Sequence, residues 1–179
     1  MSKFSTDSDN ISLDFSLFPF CFRCIKTGNF TNKLKDDQQF FKLFRRLFEI
    51  DMPALTQYSF ENITKATNKH SHSIPINTRE YLLVIGVIKE LFKSYKGDNY
   101  SDKDFERFLE NNINEYHVWQ LGISSGVRLF GIRKSNIFSV LFIDYHHLIY
   151  PDKNYNQVNY ALYDFCPITN SSKGGIDNE

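Results

Sequence analysis

The chain has 179 residues, 41% of them hydrophobic, and carries 21 basic and 21 acidic side chains. That length suits a single domain with an ordinary core. The balanced charge excludes binding of nucleic acid through a general positive field, while leaving room for a local basic site. No apolar run approaches the roughly 18–20 residues needed to cross a bilayer, so no membrane partner is expected. The opening MSKFSTDSDN lacks the charged start and apolar block of a secretory leader. Three cysteines are an odd count that fits a reducing cytoplasm better than a disulfide scaffold.

Residues 1–10 are polar and expected to be flexible. From Ile11 the pattern ISLDFSL alternates apolar and polar residues, predicting a strand with one buried face. Leu17–Ile25 stays apolar but is broken by Pro19, which fits an edge strand or a short strand after a bend. Thr27-Gly28-Asn29 is the next turn. Asp36 to Ile50 predicts a helix, because Phe40, Phe41, Phe44, Leu47 and Phe48 share one face. That Phe stripe is expected in the core. Pro53 is expected to open a second helix carrying Leu55, Tyr58, Phe60 and Ile63.

Lys69–Pro75 reads as a polar loop. Tyr81–Ser94 predicts a helix, with a strand over YLLVIGVI as the alternative because of its β-branched content. Ser101 and Asp104 resemble a capping box opening a short amphipathic helix with Phe105, Phe108, Leu109 and Ile113. Three strands then follow as a meander: Tyr116–Ile123, Val127–Arg133 and Ile137–Tyr145, joined across Ser124-Ser125-Gly126 and Lys134-Ser135-Asn136. Tyr160–Cys166 is either a final strand or a docked apolar tail, and residues 168–179 are expected to be disordered.

Within the meander, GVRLFGIRKSNIFSVLFIDYHHLIYP resembles the RelE/ParE superfamily of bacterial toxins and their relatives. An arginine-bearing strand followed by glycine matches Val127–Gly131. A strand ending in an acidic residue, followed by His and Tyr, matches Phe138–Asp144 with His147 and Tyr150. The resemblance implies a RelE-like α+β domain over residues 11–167. It would consist of an N-terminal strand, a helical pair and a C-terminal antiparallel meander, with helices packed on one face. Residues 77–115 would be an added helical insertion.

It also implies RNA cleavage without a metal or other cofactor, in which a 2′-hydroxyl attacks the adjacent phosphodiester. Arg128 would hold the phosphate, or else pair with a carboxylate such as Asp144. His146 or His147, only one of which can face a given pocket if the strand continues, would serve as acid or base, and Tyr145 or Tyr150 would orient a base or donate a proton. Arg133 and Lys134, at a turn, would bind phosphate. RNA is then the substrate, and an antitoxin or other protein the partner. Any exposed Phe on the first helix would favour such a partner. The second reading is a non-catalytic protein-binding member of the same fold, an inhibitor or an assembly factor.

Other chemistry has thinner support. His70 and His72 lack a third ligand at metal-binding spacing. Cys21-Phe22-Arg23-Cys24 falls in an apolar run and reads as buried structural cysteines. Cys166 has no histidine or acid placed to activate it.

Overall fold

Three consecutive strands form the centre of the molecule: β5 (His117–Gly122), β6 (Arg128–Lys134) and β7 (Ile137–Asp144). They pair antiparallel as the meander predicted, with Trp119 opposite Gly131 and Phe130 opposite Phe142. A computed structural model of the protein describes residues 9–17, 23–66, 70–113, 117–123, 126–154 and 156–171. The expected N-terminal flexibility over 1–8, the core of the Leu17–Ile25 segment, Cys21, Tyr116, Ser124 and Ser125 lie outside the described residues.

The sheet grows at both edges. β1 (Ser12–Asp14) runs parallel to β7, with Ser12 opposite Ile137. On the far side β4 (His72–Ser73) pairs antiparallel with β5, so the predicted polar loop over residues 69–75 contains a short edge strand. The strand order is β1-β7-β6-β5-β4. A separate two-stranded ribbon, β2 (Lys26–Thr27) and β3 (Phe30–Thr31), closes over the predicted Gly28-Asn29 turn. The protein is an α+β domain.

Helices cover both faces of the sheet, where one covered face was expected. The reason lies in the strands. Val140, Leu141, Phe142 and Ile143 are consecutive and all buried, and an uninterrupted apolar run needs cover on two sides. On one face, helix α1 (Asp37–Arg46) continues through a π-helical turn (Leu47–Asp51) into α2 (Met52–Leu55), and α3 (Phe60–Ala66) follows. Leu47, Met52, Leu55, Phe60 and Ile63 pack there against Trp119, Leu129, Phe138 and Ile143. On the other face lie α4 (Arg79–Lys96) and α5 (Asp102–Asn112). Their residues Val84, Ile88, Leu91, Phe92 and Phe105 meet Val118, Phe130, Ile132 and Phe142. The helices of residues 77–113 therefore form one wall of the core. Burying each such large side chain contributes about 1.5–3 kcal/mol.

Local chemistry sets the helix ends. Asp36 Oδ1 accepts from Gln39 N at 2.8 Å, and Thr78 Oγ1 accepts from Tyr81 N at 3.2 Å. Ser101 Oγ accepts from Asp104 N and donates to its carboxylate, so Ser101 is the N-cap expected there, with Asp104 bonded to the Ser101 hydroxyl. The strand alternative for residues 81–88 is overturned by an 18-residue helix, in which Val84, Val87, Ile88, Leu91 and Phe92 recur at helical spacing. Pro53 stands in the first turn of α2, as expected, but that helix ends at Leu55, and Phe60 and Ile63 lie on the separate α3.

The Phe stripe of α1 departs furthest from expectation. No residue of α1 is buried, and Phe41 is 65% exposed. After the sheet, a 3-10 turn (Tyr160–Leu162) and α6 (Pro167–Ser171) continue the chain, so order extends past Ile168, where a loose tail was expected. Phe165 and Leu34 exchange two backbone hydrogen bonds of 2.9 Å, which makes this segment a docked tail and not a sixth strand of the main sheet. Among the described residues no helix is long and apolar enough to cross a membrane.

Candidate functional site

Arg128 opens β6 directly opposite Asp144, the last residue of β7. Both are enclosed: Arg128 is 3% exposed and Asp144 fully buried. The guanidinium donates from Nη1 to Val127 O at 2.9 Å. Asp144 holds the loop that follows it. Its Oδ1 accepts from His146 N at 3.1 Å, and its Oδ2 accepts from Leu148 N at 2.7 Å and Ile149 N at 2.9 Å. Burial nevertheless raises its carboxyl to about 6, against the pull of those three N–H groups and of the Arg128 charge.

His147 joins this end of the sheet. Its backbone lies in the left-handed region at φ 57°, and its side chain is 6% exposed. Burial, helped by the positive charge of Arg128, lowers its imidazole to about 4, so at neutral pH it carries no charge. His146 points elsewhere, because the chain bends at residues 145–146 and turns into the left-handed region at His147. Its Nε2 faces Lys33 O at 2.7 Å and must donate, since a carbonyl only accepts. Its ring stacks on Tyr160 at 4.2 Å. It pins the C-terminal segment.

The remaining predicted site residues are dispersed. Tyr150 is half-buried against the α4–α5 core, with its ring edge-on to His72 at 5.5 Å. Arg133 lies over Phe60 and Trp119, at 4.3 and 5.0 Å from the ring centroids. Lys134 is exposed at the far end of β6, six positions and about 20 Å from Arg128. The fold thus gathers Arg128, Asp144 and His147 inside the protein and sends Arg133 and Lys134 to the opposite end of the strand. Three grooves, of about 240, 390 and 610 Å³, are lined by other residues. Among the described residues, no group of three or more His, Cys, Asp or Glu side chains could hold a metal ion.

Two surface features were not predicted. The largest of these three grooves lies between the first half of α4 and the β2–β3 turn, with Leu82, Leu83 and Gly86 along its helical side. Leu82 is 64% exposed, and two leucines on the polar side of a helix were the available signal. The other is a row of rings along α1. Phe40 lies 5.5 Å from Phe44, Phe44 lies 4.4 Å from Phe48, and Phe48 lies 6.3 Å from Phe15. Phe41 flanks Phe40 at 5.4 Å, and Phe165 of the docked tail meets Phe40 at 6.3 Å.

A model of the family described as "Uncharacterised protein UU032" matches residues 16–173. The chain belongs to that family. It is similar to a protein of Ureaplasma parvum serovar 3, described as uncharacterized protein UU032. The two are 29% identical over 149 residues, which span 83% of this chain and 75% of that protein. No solved structure matches the chain.

Proposed function

We propose that this chain is a non-catalytic, cytoplasmic protein-binding domain of RelE/ParE type, acting as an assembly factor through the ring row of α1. The exposure of Phe41, with Phe44 beside it, carries this reading, since neighbouring aromatic rings left in water mark an interaction surface. The enclosure of Arg128 and His147 weighs in the same direction, because RNA cleavage needs its cationic and titrating groups beside an open phosphate site.

The charge order on α1 selects the occupant: a second copy of this chain, packed antiparallel. Asp37 lies four residues before Phe41 and Arg45 four residues after it, so all three share one face. A two-fold axis at Phe41 brings Asp37 of one copy to Arg45 of the other, in the isologous manner of cyclic dimers. Arg45 is exposed and bonded at 2.8 Å to Glu49, an exposed pair worth too little to hold it back. Asp36, Asp37 and Glu49 offset Lys42, Arg45 and Arg46 on the same stretch, which leaves no net positive charge to draw it to an anionic membrane surface.

Sedimentation velocity on the purified chain is expected to give a dimer at micromolar concentration. Phe41→Glu should weaken it at least about 30-fold, the loss typical of a central aromatic anchor. Asp37→Arg alone should also weaken it, whereas Asp37→Arg with Arg45→Asp should restore it, because the swap preserves complementarity across the axis. A wild-type monomer, or a dimer indifferent to these changes, refutes the assignment. So does RNA cleavage by the purified protein that is lost in His147→Gln.

A further inference from the structure

We infer that Cys24 and Cys166 form a peroxide-responsive dithiol site, which closes into a disulfide between the N-terminal ribbon and the C-terminal segment. This inference is independent of the docking face. The two residues lie at opposite ends of the sequence, yet the fold pins each beside the other. Asn32 fixes the backbone around Cys24: its Nδ2 donates to Arg23 O at 2.8 Å, and its Oδ1 accepts from Ile25 N at 2.8 Å. Two residues further on, Leu34 makes the two-way bridge to Phe165, which sets Cys166 beside it. Lys26 Nζ donates to Ala161 O at 2.6 Å, and Lys33 pairs with Asp164, which fastens the segment on the same side.

Both cysteines are thiols, and their side chains hydrogen-bond to each other. Cys166 is the acceptor. It also receives the backbone N–H groups of Ile168 and Thr169 and the Thr169 hydroxyl, which favour its thiolate and lower its pKa to about 5. Cys24, the donor, is held above its ordinary range by that bond and by burial. One sulfur is thus prepared to attack and its neighbour to resolve. Cys24 is the half-exposed member, which opens the pair to a small oxidant.

The chemistry balances with hydrogen peroxide as oxidant. The Cys166 thiolate attacks one peroxide oxygen, the S–O bond forms, the O–O bond breaks and hydroxide leaves, giving a sulfenic acid. Cys24 sulfur then attacks Cys166 sulfur. The S–S bond forms, the S–O bond breaks, and the departing hydroxide takes the Cys24 proton as water. Two thiols are oxidised and one peroxide is reduced to two waters.

The test is to treat the whole chain with hydrogen peroxide, block remaining thiols, digest without reductant and map the linked peptides by mass. A Cys24–Cys166 peptide, lighter by two hydrogens and released by dithiothreitol, is expected, with a rise in Tm of the oxidised protein. Cys24→Ser should instead leave Cys166 as a sulfenic acid that dimedone traps, and Cys166→Ser should abolish both products. Both serine variants conserve size and should fold, as circular dichroism would verify. A disulfide joining Cys21 to Cys24, or Cys24 and Cys166 recovered unlinked under peroxide that fully oxidises Cys21, overturns the proposal.

Discussion

Gly131→Ala is expected to leave the protein unfolded or barely folded at room temperature. A Cβ at position 131 would lie 2.4 Å from Ser139 O and 2.6 Å from Phe138 Cζ. Neither neighbour can yield. The carbonyl belongs to the ladder of β7, and Phe138 is fully buried between Phe60 and the sheet. Gly131 also sits beside the register shift where Leu141 is the extra residue of β7, so both strands are already bent to their closest approach. Relief would require parting β6 from β7, at a cost above about 4 kcal/mol, most of the stability of a typical domain. Gly86→Ala is the matched control. Nothing lies within 4 Å of a Cβ there, and the residue is inside α4, so alanine should stabilise by about 0.5–1 kcal/mol. Urea midpoints of the two variants should move in opposite directions. A Gly131→Ala protein with the wild-type midpoint would mean that the strands do not meet as closely as described.

Removing the Asp144 carboxylate should have an effect of similar size. Asp144→Ala leaves the N–H groups of His146, Leu148 and Ile149 buried without their acceptor, at about 1–3 kcal/mol each. The pH dependence carries a sharper signature. The Asp144 carboxyl binds its proton more tightly in the folded state, at about 6 against an ordinary 3.8. Its contribution is therefore full below 3.8 and lost as pH rises through 6. His147 runs the other way, at about 4 in the folded state against 6.5. Its contribution is full above 6.5 and lost as pH falls through 4, and buried His146 shares that direction. In the wild type the opposing slopes offset each other across pH 4–6.5. Asp144→Asn should expose the histidine slope, with Tm falling steadily as pH drops from 6.5 to 4. His147→Asn should leave the carboxyl slope dominant, and asparagine tolerates the left-handed backbone at that position. Parallel Tm profiles for wild type and both variants would rule out this opposition.

The meander was legible because its information is local: β-branched and aromatic runs broken by Ser, Gly and Asn place β5, β6 and β7 to within a residue or two. Helix ends were legible for the same reason, as Ser101 with Asp104 illustrates. What failed depends on partners remote in sequence. Helical spacing of Phe40, Phe41 and Phe44 identifies an apolar face but carries no information on whether that face turns inward, and here it turns to solvent. The consecutive apolar residues of β7 did signal two covered faces, a cue obscured by assigning helices to one side. Arg128 and Asp144 could be paired by register, yet their depth depends on the loop that Asp144 itself ties down. Cys24 was read against its sequence neighbour Cys21, while its partner in space, Cys166, lies at the other end of the chain.

The parallel pairing of β1 with β7 sets a timetable for synthesis. Ser12 is translated 125 residues before its partner Ile137. Until then β1 has no strand to join, and the apolar residues of α2 and α3 have no sheet to lie on, because β5, β6 and β7 all come afterwards. Contacts so distant in sequence make folding slow and leave sticky intermediates. Until the last strand is made, the apolar faces of β1, α2 and α3 stay uncovered, so the sheet closes only when both ends of the chain are present.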